Sequence, residues 1–492
     1  MSLNLTGSDF FAGCGGSGQG MDEAMREAGG GEIVEASNHW KLAMETYGTN
    51  FKNTRVIQTD LSLSDPRRHT KTTIATFSPE CTTHTPAGGN THKKLKAQID
   101  MFNKNIIDPA TERSRQTMWD VVRFAEYHKY EIVIVENVIE AKTTWPLFEA
   151  WLNAMHVIGY MHKVVYANSM HYDVPQSRDR MFVVFWKKGN PKPYLEHMPE
   201  AWCVKCQQNV NSIQSWKNSQ RKYGKYKQQY VYRCSKCTTE VEPYYYAAFN
   251  IIDWSDKGTR IGDREANGLN TLADNTIRRI QWGIDNLANP FIVDDKQSTG
   301  VNFRVRSVNQ TTNTIHTDPR LKLVMPFMIK MENTSRDKIR SLANVAYAQT
   351  CTDSTAVVNL PFIVEAKGTG KARRITDTLS CATTIEYHSL LTPEKFNAFL
   401  AYNNNGVQVS HITDVTGTQA TKERMSLIQD VKPRIEDCYY RMLKPSEIKG
   451  AMAFRDDYVI LGSKKDQVKQ LGNAVTPPVM KWLVKQCIDS LR

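Results

Sequence analysis

The chain has 492 residues, 40% of them hydrophobic, and a formal net charge of +12. That length suggests about two to four domains with real cores, and no apolar run approaches the roughly 20 residues a membrane-spanning helix needs. Ten cysteines are too few for a disulfide framework in a chain this long, so a reducing cytoplasm is expected, and the positive balance favours a polyanionic partner.

No basic segment followed by a long apolar one opens the chain, so no signal peptide is read. Residues 1–186 alternate between strand and helix patterns. A short apolar run leads into Asp9-Phe10-Phe11-Ala12-Gly13-Cys14-Gly15-Gly16. A helix follows over Gly18–Ala28, with Met21, Ala24, Met25 and Ala28 on one face and Gly29-Gly30-Gly31 ending it. Glu32–Ala36 reads as a strand, followed by Ser37-Asn38-His39-Trp40 and a helix to about Tyr47. Arg55–Gln58 and Thr73–Phe77 are further strands, and the second leads into Ser78-Pro79-Glu80-Cys81. Residues 82–113 form a long polar loop, read as a closing lid. Ser114–Lys129 is a helix and Glu131–Glu136 a buried strand ending in Glu136-Asn137-Val138. Gln176-Ser177-Arg178-Asp179-Arg180 is extended and precedes the apolar run Met181–Trp186. This βαβα order predicts an α/β, doubly wound, mostly parallel sheet, whose ligands bind at the carboxyl ends of strands.

Residues 187–245 change character. Cys203-x2-Cys206 and Cys234-x2-Cys237 are separated by 27 residues, and from Cys203 to Cys237 there are eight Lys or Arg and no Asp or Glu. Four thiolates at this spacing predict a closed structural zinc site at Cys203, Cys206, Cys234 and Cys237. The interleaved Trp216, Tyr223, Tyr226, Tyr230 and Tyr232 suggest a ribbon that contacts DNA. Residues 246–437 are β-rich and carry a weak repeat: Pro290-Phe291-Ile292-Val293, Pro326-Phe327-Met328-Ile329 and Pro361-Phe362-Ile363-Val364. Each copy precedes a Thr-rich run (Asn313–Thr317, Tyr347–Thr352, Thr376–Thr384), which reads as three similar β units. Residues 438–492 return to the first style. Arg441-Met442-Leu443-Lys444-Pro445-Ser446-Glu447 opens a helix, Gln470-Leu471-Gly472-Asn473-Ala474-Val475 follows, and a last helix starts near Pro478.

The glycine loop, the loop cysteine, the strand-end Glu-Asn, the Gln-x-Arg-x-Arg and the late Gly-Asn-Ala-Val, in that order, resemble the DNA (cytosine-5) methyltransferase family. The likeness covers about residues 8–186 and 438–480. It implies that S-adenosylmethionine sits on Phe11, Gly13 and Gly15, with Trp40 packing on the adenine, Asp60 accepting from its amino group and Asn473 closing the methionine side. It implies that Cys81 adds to C6 of a cytosine flipped out of double-stranded DNA, because C5 is too poor a nucleophile unaided. A protonated Glu136 would then hold cytosine N3, with Asn137 fixing it and Arg178 and Arg180 at the base and adjacent backbone. Two departures stand out. Asn38 or His39 replaces the usual ribose-binding carboxylate, and Pro79-Glu80-Cys81-Thr82 replaces Pro-Pro-Cys-Gln. The atypical cysteine motif and the zinc ribbon resemble bacteriophage-encoded members, which places the expected cytoplasm in a bacterial or phage-infected cell. The middle region occupies the place of the family's target-recognition domain. A monomer without membrane contact is expected. The alternatives are a tRNA cytosine-5 methyltransferase, disfavoured by the large middle region, and a noncatalytic DNA-binding relative. Recognition sequence and biological role are not written in the motifs.

Overall fold

The structure, a computed structural model, describes residues 4–79 and 109–246, most of 248–274, the isolated residues 277 and 280, short strands between 291 and 429, and 435–492. The first part contains β1 (Thr6–Phe10), α1 (Gly16–Glu27), β2 (Glu32–Asn38), α2 (Lys41–Asn50), β3 (Arg55–Gln58) and β4 (Ile74–Phe77). It continues with α3 (Pro109–His128), β5 (Ile132–Asn137), α4 (Glu140–Thr144), α5 (Phe148–Val157), β6 (Tyr160–Asn168) and β7 (Asp179–Lys187). These strands form one seven-stranded sheet in the order β3-β2-β1-β4-β5-β7-β6. β1 to β5 run parallel, and β7 pairs antiparallel with both β5 and β6.

Strand alternation explains the two covering layers. Ile132 and Ile134 of β5 point to one face, where Met21 and Met25 of α1 bury. Val133 and Val135 point to the other, against Val121 and Phe124 of α3 and Trp151 of α5. A sheet covered on both faces needs near-continuous apolar strands, and Ile132–Val135 is one. Each fully buried Phe or Val contributes about 1.5–3 kcal/mol. The chain steps outward from β1 to β3, then crosses back to β4. The resulting switch point lies at the carboxyl ends of β1 and β4, where such sheets open a crevice.

The ribbon is a separate four-stranded antiparallel sheet made of β8 (Glu200–Cys203), β9 (Gln208–Trp216), β10 (Tyr230–Cys234) and β11 (Glu240–Val241). In the β-rich region, Phe291–Asp294, Phe327–Lys330 and Phe362–Glu365 share one arrangement, each flanked on both sides by antiparallel strands. Ala398–Asn403 repeats it a fourth time without the Pro-Phe signature. The three Thr-rich runs lie outside the described residues.

Tyr439–Met442 joins the sheet that holds Phe291–Asp294, then leads into α6 (Pro445–Ala451). Here Glu447, 2% exposed, takes Arg441 in a bidentate pair at 2.7 and 2.8 Å and also accepts from the amides of Lys444 and Asp253. α7 (Lys464–Asn473) and α8 (Pro477–Leu491) complete the chain, and Val479, Met480 and Leu483 of α8 join the core around α1. No helix among the described residues is long and apolar enough to cross a membrane.

Candidate active site

The glycine loop is held from behind. Asp9, on β1, is fully buried and accepts from Ser17 of α1, Thr76 of β4 and Tyr47 of α2. Burial pushes its carboxyl up to about 6, and the three hydroxyl donors only partly offset this. Gly15 precedes α1 at φ 98°, and a side chain there would run into the Tyr458 hydroxyl, which donates to the Cys14 carbonyl at 2.6 Å. Gly13 differs: its φ is +55° and a Cβ would meet nothing within 4 Å among the described residues. The loop is therefore closed at Gly15 and open at Gly13, and Phe11 (φ 55°) turns the chain between β1 and this opening.

At the ends of β2 and β3, the Asn38 carbonyl accepts from the Thr59 amide at 3.0 Å, which ties together the segments that lead into Trp40 and Asp60. The Asn38 side chain caps the Trp40 amide at 2.9 Å. His39 is exposed and lies beside it. The Trp40 ring is half-buried, with Lys469 Nζ 4.4 Å from its centroid. Asp60 starts a 3₁₀ turn and accepts from the Ser62 amide at 3.1 Å and hydroxyl at 2.7 Å. Arg123 of α3 pins that turn through the carbonyls of Leu61 and Ser64, at 2.6 and 2.9 Å, and pairs with Asp120 at 2.8 Å. An open cleft of about 460 Å³ lies beside the turn, lined by Ser62, Trp119, Asp120 and Arg123 among others. The set of groups fits a nucleoside with a charged tail: an acceptor at Asp60, an aromatic face at Trp40 and open backbone at Gly13.

Glu136 is the last residue but one of β5, and Arg180 is the second of β7. Their side chains, 12% and 18% exposed, meet at 3.0 Å from Oε1 to Nε. Arg180 Nη1 also donates to the Asp179 carbonyl at 2.8 Å. Arg178 lines the same small pocket, together with Ser169 and Thr476. Arg178 is buried, and its guanidinium donates to the carbonyls of Gly472 and Ala474, both at 3.2 Å. It thereby shapes the turn on which Asn473 sits exposed. Asn137 takes the Val138 amide on its oxygen, and its nitrogen donates to the Pro79 carbonyl at 3.5 Å. Pro79 is the last described residue before the candidate nucleophile: Glu80, Cys81 and residues 82–108 of the expected lid lie outside the described residues.

The four ribbon cysteines come together as their spacing predicts, all four Sγ atoms within 4.8 Å of one another. The Cys203–Cys237 and Cys206–Cys234 sulfur distances, 3.5 and 3.9 Å, bracket the ~3.8 Å of a tetrahedral site with zinc–sulfur bonds of ~2.3 Å. The amides of Cys206, Lys236 and Cys237 donate to Cys203 or Cys234 sulfur, as zinc knuckles require. The donor set fits zinc with no open position.

Several cations of the basic stretch face protein. Lys225 pairs with Glu140 at 2.7 Å, Lys227 with Glu242 at 2.7 Å, and Arg221 lies 4.5 Å from the Tyr223 ring centroid. Lys205 and Lys222 are exposed. Sequence reasoning missed Asp9, Asp179, Glu140 and Tyr458. Asp9 and Asp179 lie inside quoted motifs, where an acidic residue amid apolar or basic neighbours was the available signal. Tyr458 and Glu140 carried none.

A family model described as C-5 cytosine-specific DNA methylase matches residues 5–489. The type II methyltransferase M.DdeI of Desulfomicrobium norvegicum is 27% identical over 194 residues, 37% of this chain and 41% of that protein, so the chain spans less than half the length of this relative. Among solved structures, the Entamoeba histolytica methyltransferase EhMeth matches with TM-score 0.44 at 12% identity, over 100% of this chain and 99% of that one. A putative DNA modification methyltransferase encoded within an E. coli prophage matches with TM-score 0.43 at 13% identity, over 99% of each chain. The S. pombe Dnmt2 methyltransferase matches with TM-score 0.46 at 12% identity, over 99% of each chain.

Proposed function

Because the chain belongs to the C-5 cytosine-specific DNA methylase family, we infer that it methylates carbon 5 of cytosine in double-stranded DNA. The observation that carries this reading is the juxtaposition at the end of β5. Glu136 is held by Arg180, and the neighbouring Asn137 grips the Pro79 carbonyl two residues before Cys81. Phe11, Gly13, Gly15, Trp40, Asp60 and Asn473 would hold S-adenosylmethionine, which would supply the electrophilic methyl group.

The protein's own residues do the rest. The target base leaves the stack to reach the pocket, since a thiol at a strand end cannot enter a duplex. Cys81 adds as thiolate to C6, and the displaced electron pair of the C5–C6 bond makes C5 nucleophilic. Glu136 holds the N3 edge of the ring and Arg180 holds Glu136. Arg178 acts behind them, by fixing the Gly472–Ala474 turn. Once C5 carried the methyl group, loss of its proton to water would re-form the C5–C6 double bond and expel the Cys81 sulfur as thiolate. Cys203, Cys206, Cys234 and Cys237 hold a structural zinc ion, and residues 187–437 read the DNA sequence, with phosphate contacts from exposed lysines such as Lys205 and Lys222.

Transfer of labelled methyl groups to duplex DNA and to tRNA, followed by nucleoside analysis, tests the substrate. The expected product is 5-methylcytosine in the DNA alone. Label in tRNA alone contradicts the DNA reading.

A further inference from the structure

The ribbon grips the two segments that carry the candidate base pocket. In the loop between β9 and β10, the Tyr226 amide donates to Asp179 Oδ1 at 3.0 Å, and Lys225 Nζ reaches Glu140 Oε1 at 2.7 Å. Asp179 immediately precedes Arg180, and its carbonyl is the second anchor of the Arg180 guanidinium at 2.8 Å. Glu140 opens α4, three residues after the end of the strand that carries Glu136. The ribbon therefore touches the pocket from both sides.

The contact is built, with more than one kind of interaction. Tyr226 and Tyr232 meet His171 edge-on, with centroids 4.5 and 4.8 Å away, and Trp216 meets Tyr166 at 5.5 Å. Gln214 Nε2 donates to the Tyr166 carbonyl at 3.0 Å. All of these groups belong to the two strands, or their loop, that the cysteine knuckles close at the other end. A basic loop intended only for phosphate would leave Lys225 in solvent, whereas here it and Glu140 are both partly buried.

We propose that the ribbon loop is a positioning element of the active site. Asp179 and Lys225 are its positioning residues, and they hold Arg180 in place against Glu136. The inference rests on the reading of Glu136 and Arg180 as the groups at the target base. Its physical basis is the steep dependence of rate on geometry: a displacement of about 1 Å in a reacting constellation can slow turnover about 100-fold. A role confined to packing would reduce the fraction of folded protein and leave kcat of that fraction unchanged.

The test uses the full-length protein with Asp179→Ala, Asp179→Asn, Lys225→Met and Lys225→Arg, and Glu136→Ala alongside. The measurements are kcat, KM for S-adenosylmethionine, metal content and thermal midpoint. Asp179→Ala and Lys225→Met should lower kcat about 10- to 100-fold, with cofactor KM and metal content unchanged. Asp179→Asn should recover most of the rate, because its amide oxygen can still accept from the Tyr226 amide, and Lys225→Arg should do the same through its retained charge. Wild-type kcat in Asp179→Ala and Lys225→Met, with Glu136→Ala slowed, overturns the proposal and leaves the pocket assignment standing. Wild-type kcat in Glu136→Ala shows that the pocket assignment itself has failed. If Asp179→Ala does not fold, Lys225→Met decides alone, since it removes only a partly exposed ion pair.

Discussion

Replacing Asp9 by Asn should flatten the pH dependence of stability. Asp9 lies beneath the glycine loop with 0% exposure, and burial raises its carboxyl from the ordinary 3.8 to about 6 despite hydroxyl donors from Ser17, Thr76 and Tyr47. Because the folded value lies above the unfolded one, the native state binds the extra proton. The resulting stability is fully present below about pH 4 and is lost as pH rises through about 6. A rise of this size corresponds to about 3 kcal/mol at full burial. Asp120 and Asp179 are also raised to about 6 by burial and act with the same sign. The useful quantity is therefore wild type minus variant, in which their contributions cancel. Asn keeps one acceptor for the Ser17 hydroxyl and does not ionise. Urea unfolding between pH 4 and 7.5 should show wild type losing about 3 kcal/mol relative to Asp9→Asn across the window. A difference that stays flat over that range would show instead that Asp9 titrates normally in the folded protein.

Removing Glu447 leaves Arg441, 9% exposed, without its bidentate partner. Glu447→Ala should therefore destabilise the protein by about 3–5 kcal/mol in the same unfolding assay, and Glu447→Gln by less. Cys203→Ser combined with Cys206→Ser should lose the bound zinc, about one ion per chain by metal analysis, and loosen the ribbon. Stoichiometric zinc in the double variant would show that the ligand set is wrong.

The parts of the fold legible in the sequence were those with a repeating apolar signal or a special residue at a strand end. Ile132–Val135 could only be a buried strand, and the glycine loop, Glu136 and Arg180 all mark strand ends. Direction was not legible: Met181–Trp186 is apolar on both sides of its strand, and such a run reads the same parallel or antiparallel. α1 starts two residues before the expected Gly18, because glycines at its first turn mask the helical pattern while burial of that turn stabilises it. The fourth β unit was invisible because Ala398-Phe399 replaces Pro-Phe, although the backbone pairing repeats. The cysteine spacing was sufficient for the ligand cluster. The ribbon's charge was legible too, but its partners were not: Glu140 and Glu242 lie outside the Cys203–Cys237 stretch, so counting charges within it could not show that Lys225 and Lys227 are paired.

Covalent catalysis by Cys81 on cytosine can be caught by trapping its intermediate. A duplex with 5-fluorocytosine at the target position, incubated with S-adenosylmethionine, should leave a denaturation-resistant protein–DNA adduct, because fluorine cannot leave C5 as a proton does. Peptide mapping should place the linkage at Cys81, and Cys81→Ala should form neither adduct nor methylated DNA. An adduct at another residue, or full methyl transfer by Cys81→Ala, would show that Cys81 is not the nucleophile.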